Sequence, residues 1–383
     1  MRIAAIATSR IPSRSANSIR VMKVCQAMVR LGHEVELWTP GPSPAPTWAD
    51  LRRIYDVRAE FELHRVPSWG ALRRWDFSLR AAGQSIRAKP DLWYVWPYQA
   101  AAALARLGHP TILEMHDRPA GVAGPALFRL FLGGRGARRL LVITEALRSW
   151  LEARYRRPLQ PPFTVITPSG VDLEPYEGLP SAREARARLG WSGAFVAGYT
   201  GHLYPGRGLE LMLELARRSP EIVFVWAGGE PEALGGWATR LEAEGIQNVR
   251  LLGFVPQRDL PLIQAACDVL LMPYQRAIAV SSGGDTAAFA SPMKAFEYMA
   301  AGRPILSSDL PVLREVLNDG NAVLLDPQEV DAWEAALKSL VGDEPRRIRL
   351  GEAARRGAAR YTWLERTRRA LEGLAPVPGN GGK

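Results

Sequence analysis

Short apolar runs, separated by polar or glycine- and proline-containing turns, recur along the chain with stretches of helical spacing between them. Residues 2–7 (RIAAIA) read as a buried parallel strand followed by a polar loop, Thr8 to Ser18. Val21, Val24, Cys25, Met28 and Leu31 predict a helix over Ile19–Leu31 that stops at Gly32, and His33–Trp38 is the next strand. Residues 68–88, with Trp69, Trp75 and Phe77, predict a basic amphipathic helix or pair of helices. Further strands are expected at Asp91–Val95, Thr111–Met115 and Leu140–Ile143, with a helix over Gln99–Leu107. The strand at 111–115 delivers His116 and Asp117 to its carboxyl end, where ligands bind in doubly wound sheets.

A second cycle of the same kind starts near Phe163. Strands are expected at Thr164–Ile166, Ala194–Tyr199, Ile222–Ala227, Val249–Leu252, Val269–Met272 and Ile305–Leu306, with a helix over Glu210–Ala216. Alternating strands and helices make an α/β protein with parallel sheets. The architecture implied is two facing Rossmann-like domains with a cleft between them and a C-terminal helical segment crossing back. The expected divisions are 1–165, 166–355, a returning helix over 356–374 and a disordered tail at 375–383, with residues 173–183 as a polar linker and hinge. The first βα turn lacks GxGxxG, which argues against a nicotinamide or flavin enzyme.

The most informative stretch is SSGGDTAAFASPMKAFEYMAAGRPILSSDLPVLRE (281–315). Ser291 and Pro292 predict a helix start, with Ser291 as cap. Lys294 and Glu297, three residues apart, project from one helix face, and Gly302 ends the helix. Free backbone N–H groups, a helix dipole and a lysine, after the pair Gly283-Gly284, describe an anion site, most simply for phosphate.

Charge changes this picture by its placement. The net charge is +10, but residues 1–165 hold 25 Lys/Arg against 12 Asp/Glu, while the remainder is slightly acidic. Only five of the basic residues are lysines, so Arg is the default cation and Lys294 stands out. A basic first half suits an anionic membrane face or a phosphorylated substrate, and no nucleic-acid-binding signature accompanies it. No apolar run approaches the ~20 residues of a membrane span, and the N-terminus reads as a strand instead of a signal peptide. Cys25 and Cys267 lie in apolar helical patterns and are expected as small buried hydrophobes in a reducing cytoplasm.

Several segments, in order, resemble the GT-B glycosyltransferases, specifically the large retaining family 4: GHLYPGRG (201–208), the Gly-Gly-Glu-Pro turn (228–231), LLGFVP (251–256), SPMKAFEYMAAGRPIL (291–306) and LREVLNDGNAVLLDP (313–327). LGHEVEL (31–37), His116-Asp117 and PSGVD (168–172) add to it. The resemblance implies a sugar transferred from a nucleotide-diphospho donor, UDP- or GDP-linked, to a hydroxyl acceptor that is a sugar, a lipid-linked molecule or a cell-envelope or exopolysaccharide precursor. It implies His202 and Arg207 on the diphosphate, Lys294 on phosphate, Glu297 on the ribose, and Phe254 with Val255 at the base. His116 falls beside the donor sugar, and Arg14, Ser15 and Asn17 border the acceptor.

The family's first glutamate of Glu-x7-Glu would fall at 289, where this chain has Phe; Gly283, Gly284 and Asp285 are candidates to take its place at the sugar. His116, Arg207 and Lys294 are thus the expected catalytic residues, with charge stabilised on the departing diphosphate and front-face attack retaining configuration. No Asp-x-Asp or His/Cys cluster is apparent, so neither metal nor cofactor is expected. A peripheral position on the inner face of the cytoplasmic membrane is expected from the basic Trp/Phe/Arg stretches at 68–88 and 125–135. The alternatives are a GT-B-fold nucleotide-sugar epimerase or hydrolase, which needs additional catalytic carboxylates, and a non-catalytic nucleotide-sugar-binding protein.

Overall fold

The structure, a computed structural model, describes residues 1–69, 72, 74–191, 195–277 and 287–374. Gly283, Gly284, Asp285 and the expected tail at 375–383 lie outside the described residues. The chain forms two compact units, Met1–Pro168 together with the segment from Trp363, and Ser169–Thr362.

The first unit is built on a seven-stranded parallel sheet. Its strands are β1 (Arg2–Ile6), β2 (Glu34–Pro40), β3 (Glu62–Val66), β4 (Leu92–Val95), β5 (Thr111–Met115), β6 (Ala137–Val142) and β7 (Thr164–Ile166), in the order β3-β2-β1-β4-β5-β6-β7. Ile3 to Ile6 and Leu140 to Val142 are completely buried, as continuous apolar strands covered on both faces must be. The second unit repeats the plan with β8 (Phe195–Thr200), β9 (Ile222–Ala227), β10 (Val249–Gly253), β11 (Val269–Met272), β12 (Ile305–Ser308) and β13 (Val323–Leu325), in the order β10-β9-β8-β11-β12-β13. In each sheet the order reverses beside the first strand, between β1 and β4 and between β8 and β11, and such reversals open a crevice at the strands' carboxyl ends.

The helix Ala16–Arg30 follows β1 and is capped by Ser15, whose hydroxyl accepts the Ser18 N–H. Against it packs the last helix, Trp363–Leu371, which therefore belongs to the first unit although 194 residues of the second precede it. The helix Glu344–Ala358, whose last three residues enter the expected returning segment 356–374, remains with the second unit. Cys25 and Cys267 are free and buried.

Three local expectations are corrected. Ser291 does not cap the helix Met293–Ala301; Pro292 holds the cap position in extended geometry with no side-chain bond. The Ser291 hydroxyl instead accepts the buried Ser169 N–H at 2.9 Å, and the Ser169 hydroxyl donates back to the Ser291 carbonyl at 2.6 Å. Residues 173–183, expected as a polar linker and hinge, carry local structure of their own. Tyr176 is buried in a 3-10 turn, and Ser181 with Glu184 forms a capping box on the helix Ala182–Leu189. Finally, β3 and β13 were not predicted. In β3, Glu62, His64 and Arg65 interrupt the apolar alternation, because an edge strand can place polar groups where a central one cannot.

Candidate functional site

The site in the second unit begins where β8 and β11 run side by side. Tyr199 is the next-to-last residue of β8 and Tyr274 follows β11, so the reversal point sets two buried aromatic rings together. Past Thr200 the chain turns at Gly201 with φ +137°, a conformation that L side chains rarely adopt, and a Cβ there would lie 2.7 Å from the Lys294 Nζ. The helix Met293–Ala301 is pinned to the strand by Tyr298, whose hydroxyl accepts the Thr200 N–H at 2.8 Å. Its first turn places Lys294 Nζ 3.6 Å from the Tyr199 ring centre and 5.2 Å from that of Tyr274. Arg207, from the glycine turn, lies 4.6 Å from the centre of the same Tyr274 ring.

Lys294 is buried, and its ammonium has no hydrogen-bond partner among the described residues. Neither it nor Arg207 forms an ion pair with a carboxylate among those residues. A buried ammonium facing an aromatic ring gains on the order of 2 kcal/mol, whereas desolvating it costs several. The rings therefore do not balance the charge. Burial, reinforced by Arg207, holds the Lys294 pKa well below the usual lysine range, with Glu297 opposing the shift. Burial also works against the charge on Arg207, but Tyr274 and Tyr199 outweigh it and the guanidinium remains charged. His202 stacks on Tyr204 with ring centres 4.8 Å apart; burial, Arg207 and Lys294 lower its pKa, so it is neutral at pH 7. Two cations beside a neutral histidine make an arrangement that can take up an anion.

Other predicted residues sit around the same carboxyl-end rim. Glu297 is half-buried one helical turn from Lys294. Phe254 is exposed and Val255 half-buried in the loop after β10, and the Gly253 carbonyl accepts the Gly228 N–H at 2.6 Å, tying that loop to the turn after β9. Phe289 is buried. A cavity of about 580 Å³ adjoins the glycine turn near Tyr204, Trp237 and Gln275, but neither Lys294 nor Arg207 lines it.

In the first unit His116 follows β5, and its Nε2 lies 2.6 Å from Glu114 Oε1. Glu114 is fully buried and receives three further contacts: the Tyr94 hydroxyl, Arg366 Nη2 at 2.6 Å, and the field of Arg20. Arg366, from the last helix, also donates to the Pro168 carbonyl at 2.8 Å. Despite its burial, Glu114 is held below the usual carboxylate range, because Arg366 and His116 outweigh desolvation. Burial and Arg20 push His116 down to about 4, so its imidazole is neutral and donates from Nε2, leaving Nδ1 as an acceptor. Of the expected acceptor residues, Arg14 and Asn17 are exposed, while Ser15 is committed to its cap and to the Ser13 and Ser18 hydroxyls.

Sequence reasoning missed Tyr199, Tyr274, Glu114, Tyr94, Arg20 and Arg366. An aromatic residue at a strand's carboxyl end was an available signal for both tyrosines of the second unit. Nothing local could link Glu114 with Arg366, which lie 252 positions apart. It also missed one cluster of metal-ligand type, Glu36, Glu62 and His64, assembled across β2 and β3, where Arg2 already donates to Glu36 from Nε at 2.8 Å.

Residues 181–357 match the family described as "Glycosyl transferases group 1", and residues 18–175 match "Glycosyltransferase Family 4". A D-inositol 3-phosphate glycosyltransferase of Corynebacterium urealyticum is 31% identical over 56% of this chain, which spans about half of that relative's length (51%). A GDP-mannose-dependent alpha-mannosyltransferase of Mycolicibacterium smegmatis is 26% identical over 95% of this chain and 94% of its own. Among solved structures, Anabaena HepE in complex with UDP superposes with a TM-score of 0.74 at 16% identity, covering 98% of this chain and 100% of that one. The two family matches run through both units, and the paired parallel sheets agree with them: the chain belongs to the family 4 glycosyltransferases, enzymes of GT-B fold.

Proposed function

We propose that this chain transfers a hexose from a nucleotide-diphospho sugar to a hydroxyl acceptor with retention of anomeric configuration. The observation that carries the reading is the buried Lys294 ammonium, which lacks a hydrogen-bond partner among the described residues and stands beside Arg207. A diphosphate supplies the missing negative charge, and it gains charge as the glycosidic bond breaks, so both cations bind the transition state more tightly than the donor. Arg207 grips two phosphate oxygens as a planar fork, and Lys294 acts as a point charge. Glu297 takes the ribose hydroxyls, and the loop at Phe254 and Val255 takes the base. His116, neutral and oriented by Glu114, addresses the donor sugar, and the acceptor hydroxyl is deprotonated by the leaving phosphate during front-face attack.

Relatives bind UDP in one case and depend on GDP-mannose in another, so both nucleotides belong in the assay. The two cations supply charge stabilisation without a metal, and turnover should survive EDTA. Exposed Trp69, Leu72 and Leu79 in the basic 68–80 region support docking on an anionic membrane. No described helix is long and apolar enough to cross one. The test is turnover of UDP-, GDP- and ADP-sugars with product stereochemistry read by NMR. Acceptor-dependent release of nucleoside diphosphate with a retained anomer supports the reading; epimer formation, or silence across donors, would refute it.

A further inference from the structure

A second basic site lies in the first unit, remote in sequence from Lys294. Residues after β1, at the end of β2 and after β3 surround a cavity of about 440 Å³ whose polar walls are Arg10, Arg65, Arg74 and Ser68. These are carboxyl ends of parallel strands, the end at which such sheets bind ligands. No carboxylate lines the cavity, and none of the three arginines forms an ion pair with a carboxylate among the described residues. Asp76, which accepts the Ser68 hydroxyl at 3.4 Å, is committed to the Trp69 N–H at 2.8 Å.

Two of the guanidiniums are fixed in place by neutral acceptors. Arg65 Nη1 donates to the Ile11 carbonyl at 2.6 Å and to Thr39 Oγ1 at 3.1 Å, its Nε donates to the Pro42 carbonyl, and Arg74 Nη1 donates to the Thr8 carbonyl. Gly41 makes room, since a Cβ there would overlap the Arg65 guanidinium. Carbonyls orient these cations without neutralising them. Burial lowers the pKa of Arg65, and burial together with Arg10 lowers that of Arg74, so Arg10 and Arg74 repel one another and an anion would relieve the cost of burying all this charge.

We infer that this cavity binds a phosphate group of the acceptor, so that the sugar is added to a phosphate-bearing molecule. The inference rests on the transferase reading for the word acceptor, but the cavity's preference for phosphate stands without it. Three guanidiniums match a phosphate monoester, with its charge near −2, better than a single carboxylate. Trp69 and Leu72, both exposed, lie one and four positions past Ser68 and can carry the chain of a lipid phosphate.

The experiment is calorimetric titration of the full chain carrying Lys294→Met, which silences the donor phosphate site. The probes are glucose 6-phosphate, glucose, phosphatidylcholine vesicles, and the same vesicles with phosphatidic acid. The expected result is binding of glucose 6-phosphate, of phosphatidic acid vesicles, or of both, with no binding of the uncharged controls. Binding in only the soluble arm assigns a free phosphorylated acceptor, and binding in only the vesicle arm a lipid headgroup. Arg10→Glu, at an exposed position, should weaken that binding at least tenfold, and Arg74→Gln should weaken it less. Equal binding of phosphorylated and unphosphorylated probes, binding of neither, or binding untouched by both variants would overturn the inference. Because the readout is affinity, failure of donor turnover leaves this result intact, and failure here leaves donor turnover intact.

Discussion

Both units bury charge at the carboxyl end of a parallel sheet, yet they resolve it in opposite ways. In the first, Glu114 is surrounded by Arg366, Tyr94, His116 and the field of Arg20, and the carboxylate has its partners. In the second, Lys294 and Arg207 stand over two tyrosine rings with no carboxylate paired to either among the described residues. A buried charge with its partners in place is part of the fold. A buried charge without them costs stability that only a ligand returns. The contrast separates a charge the fold itself compensates from charges that, on the proposed reading, the donor's diphosphate compensates, though both lie in buried, strongly perturbed surroundings.

The largest expected effect breaks the compensated cluster. Arg366→Met leaves Glu114 buried and short of its cation, and should cost about 3–5 kcal/mol in urea unfolding followed by near-UV circular dichroism. Pairing it with Glu114→Gln should recover part of that loss, because the uncompensated charge is gone. Additive losses would show that the pair does not interact as described.

Next comes the pH dependence of that cluster. His116 ionises at about 4 in the folded chain and at 6.5 as an unperturbed histidine, so between those values the unfolded chain binds more protons. Its contribution is therefore complete above about pH 6.5 and is lost as the pH falls towards 4, at up to about 1.4 kcal/mol per unit. The groups that set this are Glu114, Arg20 and Arg366. His116→Gln should flatten the slope in that window; an unchanged slope would remove His116 as its source.

A smaller effect belongs to Arg207. Arg207→Lys keeps the charge but loses the planar fork, and should weaken nucleoside diphosphate binding by about 1 kcal/mol, roughly fivefold to tenfold. Unchanged affinity in calorimetry would place Arg207 outside the phosphate contact.

The sequence carried much of the fold, because long apolar runs such as LLVI at 140–143 and VLLM at 269–272 admit few readings. It carried the strand ends at His116 and Gly201 for the same reason. It did not carry β3, whose polar residues break the apolar alternation at a sheet edge, nor the ion pair of Glu114 with a helix at the far end of the chain. Lys294 was legible as the one lysine in a long arginine-using stretch, but its burial over Tyr199 was not. Phe289 was legible as a departure from the family's glutamate. The candidates for that role, Gly283, Gly284 and Asp285, lie outside the described residues.

The central claim is that Lys294 is a buried cation awaiting the donor's diphosphate. The most direct measurement is Lys294→Met, read both by calorimetric binding of UDP and GDP and by thermal unfolding without ligand. Binding of the favoured nucleotide should fall by about 10²–10³-fold, while the unliganded variant melts at or above the parent's temperature because an unpaired buried charge has been removed. In the parent, binding should weaken, and begin to take up protons, only as the pH rises above the depressed lysine pKa, since the phosphate raises that pKa towards its ordinary value. A variant that binds nucleotide as the parent does, or one that loses stability without losing affinity, would contradict the account.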